Sequence, residues 1–184
     1  MARLQVALFL LVSAGLVYVS RAALRRPRSH GFWRFWVWEA LAGLVALNAA
    51  GWFRDPLAWH QLISWTLLIL SVIPLALGLR QLRRARRDEQ ERPEASLLEF
   101  EKTAELVTTG VYRIIRHPMY SSLLLLAWGV FWKAPSWAGA ALVTAATGCL
   151  LATARVEERE NLRFFGPAYA AYMRQTKRFI PFLF

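Results

Sequence analysis

The stretch Gly110-Val111-Tyr112-Arg113-Ile114-Ile115-Arg116-His117-Pro118-Met119-Tyr120 runs straight into an uncharged hydrophobic segment, residues 119–132. Pro118 suits the first position of a helix, where its missing N–H is not needed, so Arg116 and His117 are expected at the rim of a helix N-terminus. Unpaired N–H groups and the positive end of the helix dipole favour an anion there, and a guanidinium adds charge and directed donors. The same residues also suit a plain helix cap with an interfacial anchor.

Outward from this point the chain reads as a membrane protein. Of its 184 residues, 57% are hydrophobic and 14% aromatic, which is too apolar for an ordinary soluble domain. Residues 4–20 are uncharged, residues 40–53 extend an aromatic approach that begins at Phe32, and residues 57–79 form a long uncharged run. Residues 119–132 would make only about 21 Å of helix, a span that needs local thinning or Lys133 snorkelling outward. Residues 134–154 are long enough, and Pro135-Ser136 makes a tight connection, so the last two helices are expected as an antiparallel hairpin. The fold class is therefore all-α, a polytopic membrane helix bundle of about five spans with a C-terminal hairpin and tail.

The net charge of +11 is placed beside the hydrophobic runs, which argues against nucleic acid as a partner and for membrane lipids. Arg21, Arg25, Arg26, Arg28 and Arg34 follow the first run; Arg80, Arg83, Arg84, Arg86 and Arg87 follow the third; Arg155, Arg159, Arg163, Arg174, Lys177 and Arg178 follow the fifth. The opposite side offers Arg3, Arg54 and Lys133. By the positive-inside rule the N-terminus is outside and the C-terminus cytoplasmic, in an inner or plasma membrane. Residues 4–20 followed by Ala22-Ala23 imitate a signal peptide, but Arg3 alone precedes the run and Arg21 crowds the cleavage site. Cys149 is the single cysteine, which excludes an intramolecular disulfide and a cysteine metal cluster. No internal repeat, P-loop, GxGxxG or low-complexity tract is present.

Ionisable groups inside membrane segments are costly and draw attention first. Glu39, near Trp36 and Trp38, suits either a pair with an arginine such as Arg34 or a cofactor or substrate contact. Asn48 suits a hydrogen bond between helices. Trp52, Trp59 and His60 read as an aromatic belt, and Pro74 as a kink in the third span. Residues 80–105 are charged, with Pro93 expected to stop a helix and residues 96–107 suited to a short amphipathic piece on the membrane surface. Thr108-Thr109-Gly110 makes a turn into the opening stretch.

Beyond the hairpin, residues 155–163 continue the fifth helix and return Glu157 and Glu158 to the face where Arg116, His117 and Tyr120 begin. Cationic and imidazole groups opposite carboxylates suit a zwitterion such as an amino acid group. Phe165-Gly166-Pro167, then Tyr169 and Tyr172, supply a turn and aromatics that can cover the site.

These residues together resemble the isoprenylcysteine carboxyl methyltransferase family and, more widely, the integral-membrane methyltransferases that include phospholipid N-methyltransferases. The resemblance runs from about residue 106 to the C-terminus. Its carriers are Leu106-Val107-Thr108-Thr109-Gly110-Val111-Tyr112, Arg116-His117-Pro118-Met119-Tyr120, Glu157-Glu158, Phe165-Gly166 with Tyr169 and Tyr172, and Arg178 before Pro181. The resemblance implies S-adenosylmethionine bound at the cytoplasmic face and a lipophilic small-molecule or lipid-modified substrate delivered by the membrane. Residues 1–184 would then be one integral membrane domain: three helices in residues 1–80, a connector in residues 81–109, and a cofactor-binding hairpin and tail in residues 110–184.

Carried over residue by residue, Leu106, Val107 and Gly110 fall near the nucleoside, and Tyr112 on a cofactor-binding position. Arg116, His117, Tyr120 and Tyr169 fall on cofactor-contacting positions, and Glu157 on that for the methionine ammonium. Arg163 falls where an active-site arginine would orient an acidic acceptor; a thiol or amine acceptor would need a base, for which Glu158 is the candidate. Asn161 stands where the family commonly has leucine, which leaves the register around Arg163 open. The acceptor can be a carboxylate, a thiol or an amine. Two other readings compete: an NADPH-dependent membrane reductase of the sterol type, with a similar Arg-His element and C-terminal ending, and a membrane scaffold that holds anionic lipids through its arginines.

Overall fold

The computed structural model describes residues 2–86 and 106–181. Among the described residues the regular structure is helical: α1 (Ala2–Leu24), α2 (His30–Asn48), α3 (Trp59–Arg86), α4 (Pro118–Phe131), α5 (Trp137–Phe165) and α6 (Pro167–Gln175). Short 3-10 turns occupy Ala49–Gly51 and Gly110–Arg113. The protein is a membrane helix bundle. By length and apolar composition α1, α3 and α5 can each cross a membrane, while α4 is shorter and α2 carries Arg34 and Glu39.

Local chemistry sets the helix ends. Ser29 caps α2, its hydroxyl accepting from the Phe32 N–H, so the helix starts ten residues before the uncharged run at residue 40. Pro118 takes the first turn of α4 as expected, and Ser136 caps α5 by accepting from the Gly139 N–H at 3.1 Å. Gly166 ends α5 with φ +59°, a conformation that favours glycine, and Pro167 opens α6 at once. The expected helix stop at Pro93, Arg87 and the surface piece up to residue 105 lie outside the described residues.

The helices pair in an order that the chain order does not suggest. α3 packs chiefly on α4 and α2 on α5, while the consecutive α4 and α5 touch less along their length. α3 comes close to α4 at Gly129, where a Cβ would lie 3.2 Å from the Leu68 backbone nitrogen. Leu41 and Leu44 of α2, Ala127 and Val130 of α4, and Val143 and Leu150 of α5 form the core between the pairs. α1 packs on α2 and leaves most of its apolar surface exposed, as a lipid-facing helix does.

The far end of the bundle corrects one expectation. Lys133 does not snorkel; it is 1% exposed, its Nζ donates to Gln61 Oε1 at 3.0 Å and sits 3.0 Å from the Trp65 ring centroid. Gln61 in turn donates to the carbonyls of Gly51 and Lys133, each at 3.0 Å. Asn48 bridges helices as expected, donating to the Val130 carbonyl at 2.7 Å. His60 donates to the Trp132 carbonyl at 3.0 Å, so it fastens α3 to the end of α4 as well as standing in an aromatic cluster with Trp59. Glu39 receives the Ser13 hydroxyl at 3.0 Å and so joins α2 to α1.

Candidate active site

The opposite end is built on the stretch before α4. Gly110 turns the chain with φ +61° beside Gln81 of α3, and the following 3-10 turn leads to residues 114–117. There the backbone pairs with the C-terminal tail: the N–H groups of Arg116 and His117 donate to the carbonyls of Lys177 and Arg178, and Lys177 N–H donates to Ile114. Two side chains fasten the tail further. Tyr172 donates its hydroxyl to the Tyr112 carbonyl and Ser121 donates to the Phe179 carbonyl, both at 2.7 Å.

Beneath this strap lies a buried charge cluster. Glu158 Oε1 accepts from Arg116 Nε at 2.9 Å, and its carboxylate also accepts from Arg178 Nε and NH2 at 3.1 and 2.7 Å. Arg116 spends NH1 on the carbonyls of Met173 and Thr176. Donating to the Glu158 carboxylate raises the pKa of Arg178 above its ordinary value and keeps the guanidinium charged. Glu158, expected as a base, is instead 5% exposed in its side chain and held by two guanidiniums, which suits a latch and not a proton acceptor.

Glu157, one residue earlier, lines a cavity of about 100 Å³ that opens at a wide mouth. Tyr120 donates its hydroxyl to Glu157 Oε2 at 2.5 Å, and the His117 ring stacks on Tyr120 with centroids 5.2 Å apart. His117 Nδ1 stands 3.8 Å from Glu157 Oε2. Its Nε2 lies 3.4 Å from Glu158 Oε1 but is not aligned as a hydrogen bond, so this buried nitrogen has no hydrogen-bond partner. Leu82, Leu106, Val107 and Met119 line an apolar side, and Tyr112, Phe165, Tyr169 and Tyr172 an aromatic one. Burial raises the pKa values of Tyr169 and Tyr172, and although Asn161 hydrogen-bonds Tyr169, both phenols stay protonated donors.

Eight of the residues expected at the site line this cavity: Leu106, Val107, Tyr112, Arg116, His117, Tyr120, Glu157 and Tyr169. Gly110, which is exposed, and the buried Glu158 are not among the lining residues, and Glu39 sits with Ser13 elsewhere. Arg163 is exposed and not among the lining residues; about 100° per residue puts it a third of a turn from Glu157. His30, Glu160 and Asn161 line the cavity without having been expected there. Glu160 and Asn161 follow Glu157 by three and four residues, the helical spacing that places side chains on one face, so their signal was present. His30 carried none, since its partner Glu160 is 130 residues away.

Among the described residues, then, a helical membrane bundle gathers an imidazole, paired carboxylates and aromatics at one end of its helices. Residues 89–168 match the family model described as phospholipid methyltransferase, which supports a membrane methyltransferase family. The chain is also similar to a methanethiol S-methyltransferase from Crocosphaera subtropica (strain ATCC 51142 / BH68), 27% identical over 157 residues. That alignment takes in 81% of this chain and 55% of the relative, so the chain spans about half the length of the curated relative it matches. No solved structure matches. His30, Tyr169 and Tyr172 fall outside the stretch that the family model matches.

Proposed function

We propose that the protein is an S-adenosylmethionine-dependent methyltransferase that methylates a lipophilic acceptor reaching the site from the bilayer. The observation that carries the reading is the cavity itself, which Glu157, His117 and four aromatic side chains line. The cofactor, when bound, supplies an electrophilic methyl group on a positively charged sulphur. The residues present fit it. Glu157 has acceptor sites beyond the one Tyr120 uses and is suited to an ammonium, while His117 is suited to a polar atom of the same end. Tyr112, Phe165, Tyr169 and Tyr172 offer ring faces to a cation or a nucleobase.

Glu158, through Arg116 and Arg178, holds the tail and the α4 rim together, which fixes His117 and Tyr120 in position. Such positioning is the main need of methyl transfer, which requires the acceptor in line with the breaking bond and water kept out. Apolar Leu82, Val107 and Met119 serve the second requirement. The charge distribution supports an N-terminus outside and a cytoplasmic active end, and membrane lipids as surroundings. The methanethiol S-methyltransferase name of the relative makes a small thiol the first acceptor to try.

Calorimetry on the protein in lipid nanodiscs tests the reading. S-adenosylmethionine is expected to bind saturably, and Glu157→Gln to weaken it by about ten- to a hundredfold, the worth of one charge-assisted hydrogen bond. Saturable NADPH binding with none of S-adenosylmethionine would overturn it.

A further inference from the structure

The wall of the cavity made by α2 and α5 carries a pair that the reading above leaves idle. His30 Nδ1 donates to Glu160 Oε2 at 2.5 Å, and the backbone N–H of His30 donates to Glu160 Oε1 at 3.3 Å. One carboxylate thus grips residue 30 at two points, which fixes both the position and the plane of the ring. The contact also assigns the tautomer: against a carboxylate Nδ1 carries the proton, and the basic lone pair is at Nε2. A carboxylate so placed favours the imidazolium that forms when such a ring accepts a proton. His30 is fully buried, and the charged and titratable groups acting on the neighbouring Glu157 are His117, His30 itself, Tyr120 and Arg34.

The same cavity selects against an acceptor that arrives as an anion. Glu157 and Glu160 both line it, so a carboxylate acceptor would face two like charges. Its lining guanidinium, Arg116, is engaged by Glu158, Met173 and Thr176, and Arg163 stands outside. A neutral thiol meets no such repulsion and crosses apolar surroundings readily, but it must lose a proton to react.

We infer that the methyl acceptor is a lipophilic thiol and that His30, oriented by Glu160, is the catalytic base that takes its proton. The inference rests on the S-adenosylmethionine reading. In the step, the thiol S–H bond breaks and its proton goes to His30 Nε2. The electron pair left on that sulphur forms the new S–C bond, and the pair of the old sulphonium–methyl bond stays on the leaving sulphur, which becomes a neutral thioether. Charge balances: one sulphonium is lost and one imidazolium gained.

Hexanethiol is the probe, added to nanodisc protein at neutral pH. The ultraviolet thiolate band is read first without cofactor, and methyl-labelled product then with S-adenosylmethionine. The wild type is expected to show the band. His30→Gln is expected to lose it and to slow transfer at least about a hundredfold, the low end of what a positioned base contributes, with the rate recovering above about pH 9 where thiols ionise unaided. Glu160→Gln, which keeps a hydrogen-bonding partner for the ring, is expected to lose about tenfold or more. A wild-type band and rate in both variants would overturn the assignment, as would faster transfer to dodecanoic acid than to hexanethiol. Calorimetry separates the two levels: S-adenosylmethionine binding with an undiminished rate in His30→Gln removes the base alone, whereas no binding to the wild type removes both readings.

Discussion

The two ends of the bundle bury similar polar residues to opposite effect. At the far end Lys133, Gln61, Ser64 and Asn48 are all enclosed, and each spends its polar atoms on a backbone carbonyl or on its neighbour: Lys133 on Gln61, Gln61 on two carbonyls, Ser64 on the Gly129 carbonyl, Asn48 on the Val130 carbonyl. At the cavity end the buried His117 Nε2 has no hydrogen-bond partner, and Glu157 lines the cavity with an oxygen beyond the one that Tyr120 uses. Burial of a polar group therefore does not mark a site in this fold. What marks it is hydrogen-bonding capacity left over and aimed at a volume large enough for a ligand.

The comparison breaks most readily at Glu158, which sits at the cavity end but behaves like a far-end residue. Glu158→Ala would leave Arg116 and Arg178 buried without their counter-charge, and removing one partner of such a cluster costs about 3–5 kcal/mol. Thermal unfolding in nanodiscs should show that loss, together with release of the tail strap as increased proteolysis after residue 175. A variant as stable as the wild type would mean that Glu158 is not the latch its three hydrogen bonds describe.

Lys133→Met sharpens the contrast from the other side. It removes the donor to Gln61 Oε1 and the ammonium over Trp65, and leaves an enclosed oxygen without that partner, a cost of about 1–3 kcal/mol. Melting temperature should fall while S-adenosylmethionine affinity in calorimetry stays within about twofold. A large loss of affinity without loss of stability would show that the two ends are coupled and that the division drawn between them is wrong.

Much of this was legible beforehand, and the part that was not has a common cause. The helices follow from uncharged runs and from local punctuation such as Ser29, Pro118, Ser136 and Gly166, all of which act within a turn or two of chain. Gly110, Arg116-His117-Pro118 and Glu157-Glu158 stood out because each is a short run of chemically unusual residues at the mouth of an apolar segment. Lys133 and His30 were unreadable in the same way. Each looks like an ordinary residue near a helix end, and each is defined by a partner far along the chain, Gln61 at 72 residues and Glu160 at 130. Which helices pair was equally hidden, because apolar faces on α2 through α5 do not specify their neighbours; small residues such as Gly129, placed where α3 comes within contact of its backbone, do.

Arg163 is the smallest expected effect and the cleanest test of where the cavity ends. Its charge sits six residues beyond Glu157 on α5, about a third of a turn around the helix, and the side chain is exposed and absent from the cavity wall. An exposed arginine of this kind contributes little to stability, so Arg163→Ala should change unfolding by no more than about 0.5 kcal/mol. Cofactor affinity and the rate with a thiol should stay within about twofold of the wild type. Were the rate to collapse with affinity intact, Arg163 would have to reach the acceptor after all, which requires α5 and α6 to close over the cavity by swinging about the Gly166 turn. The cavity end would then be a moving wall and not the fixed frame that the tail strap makes of it.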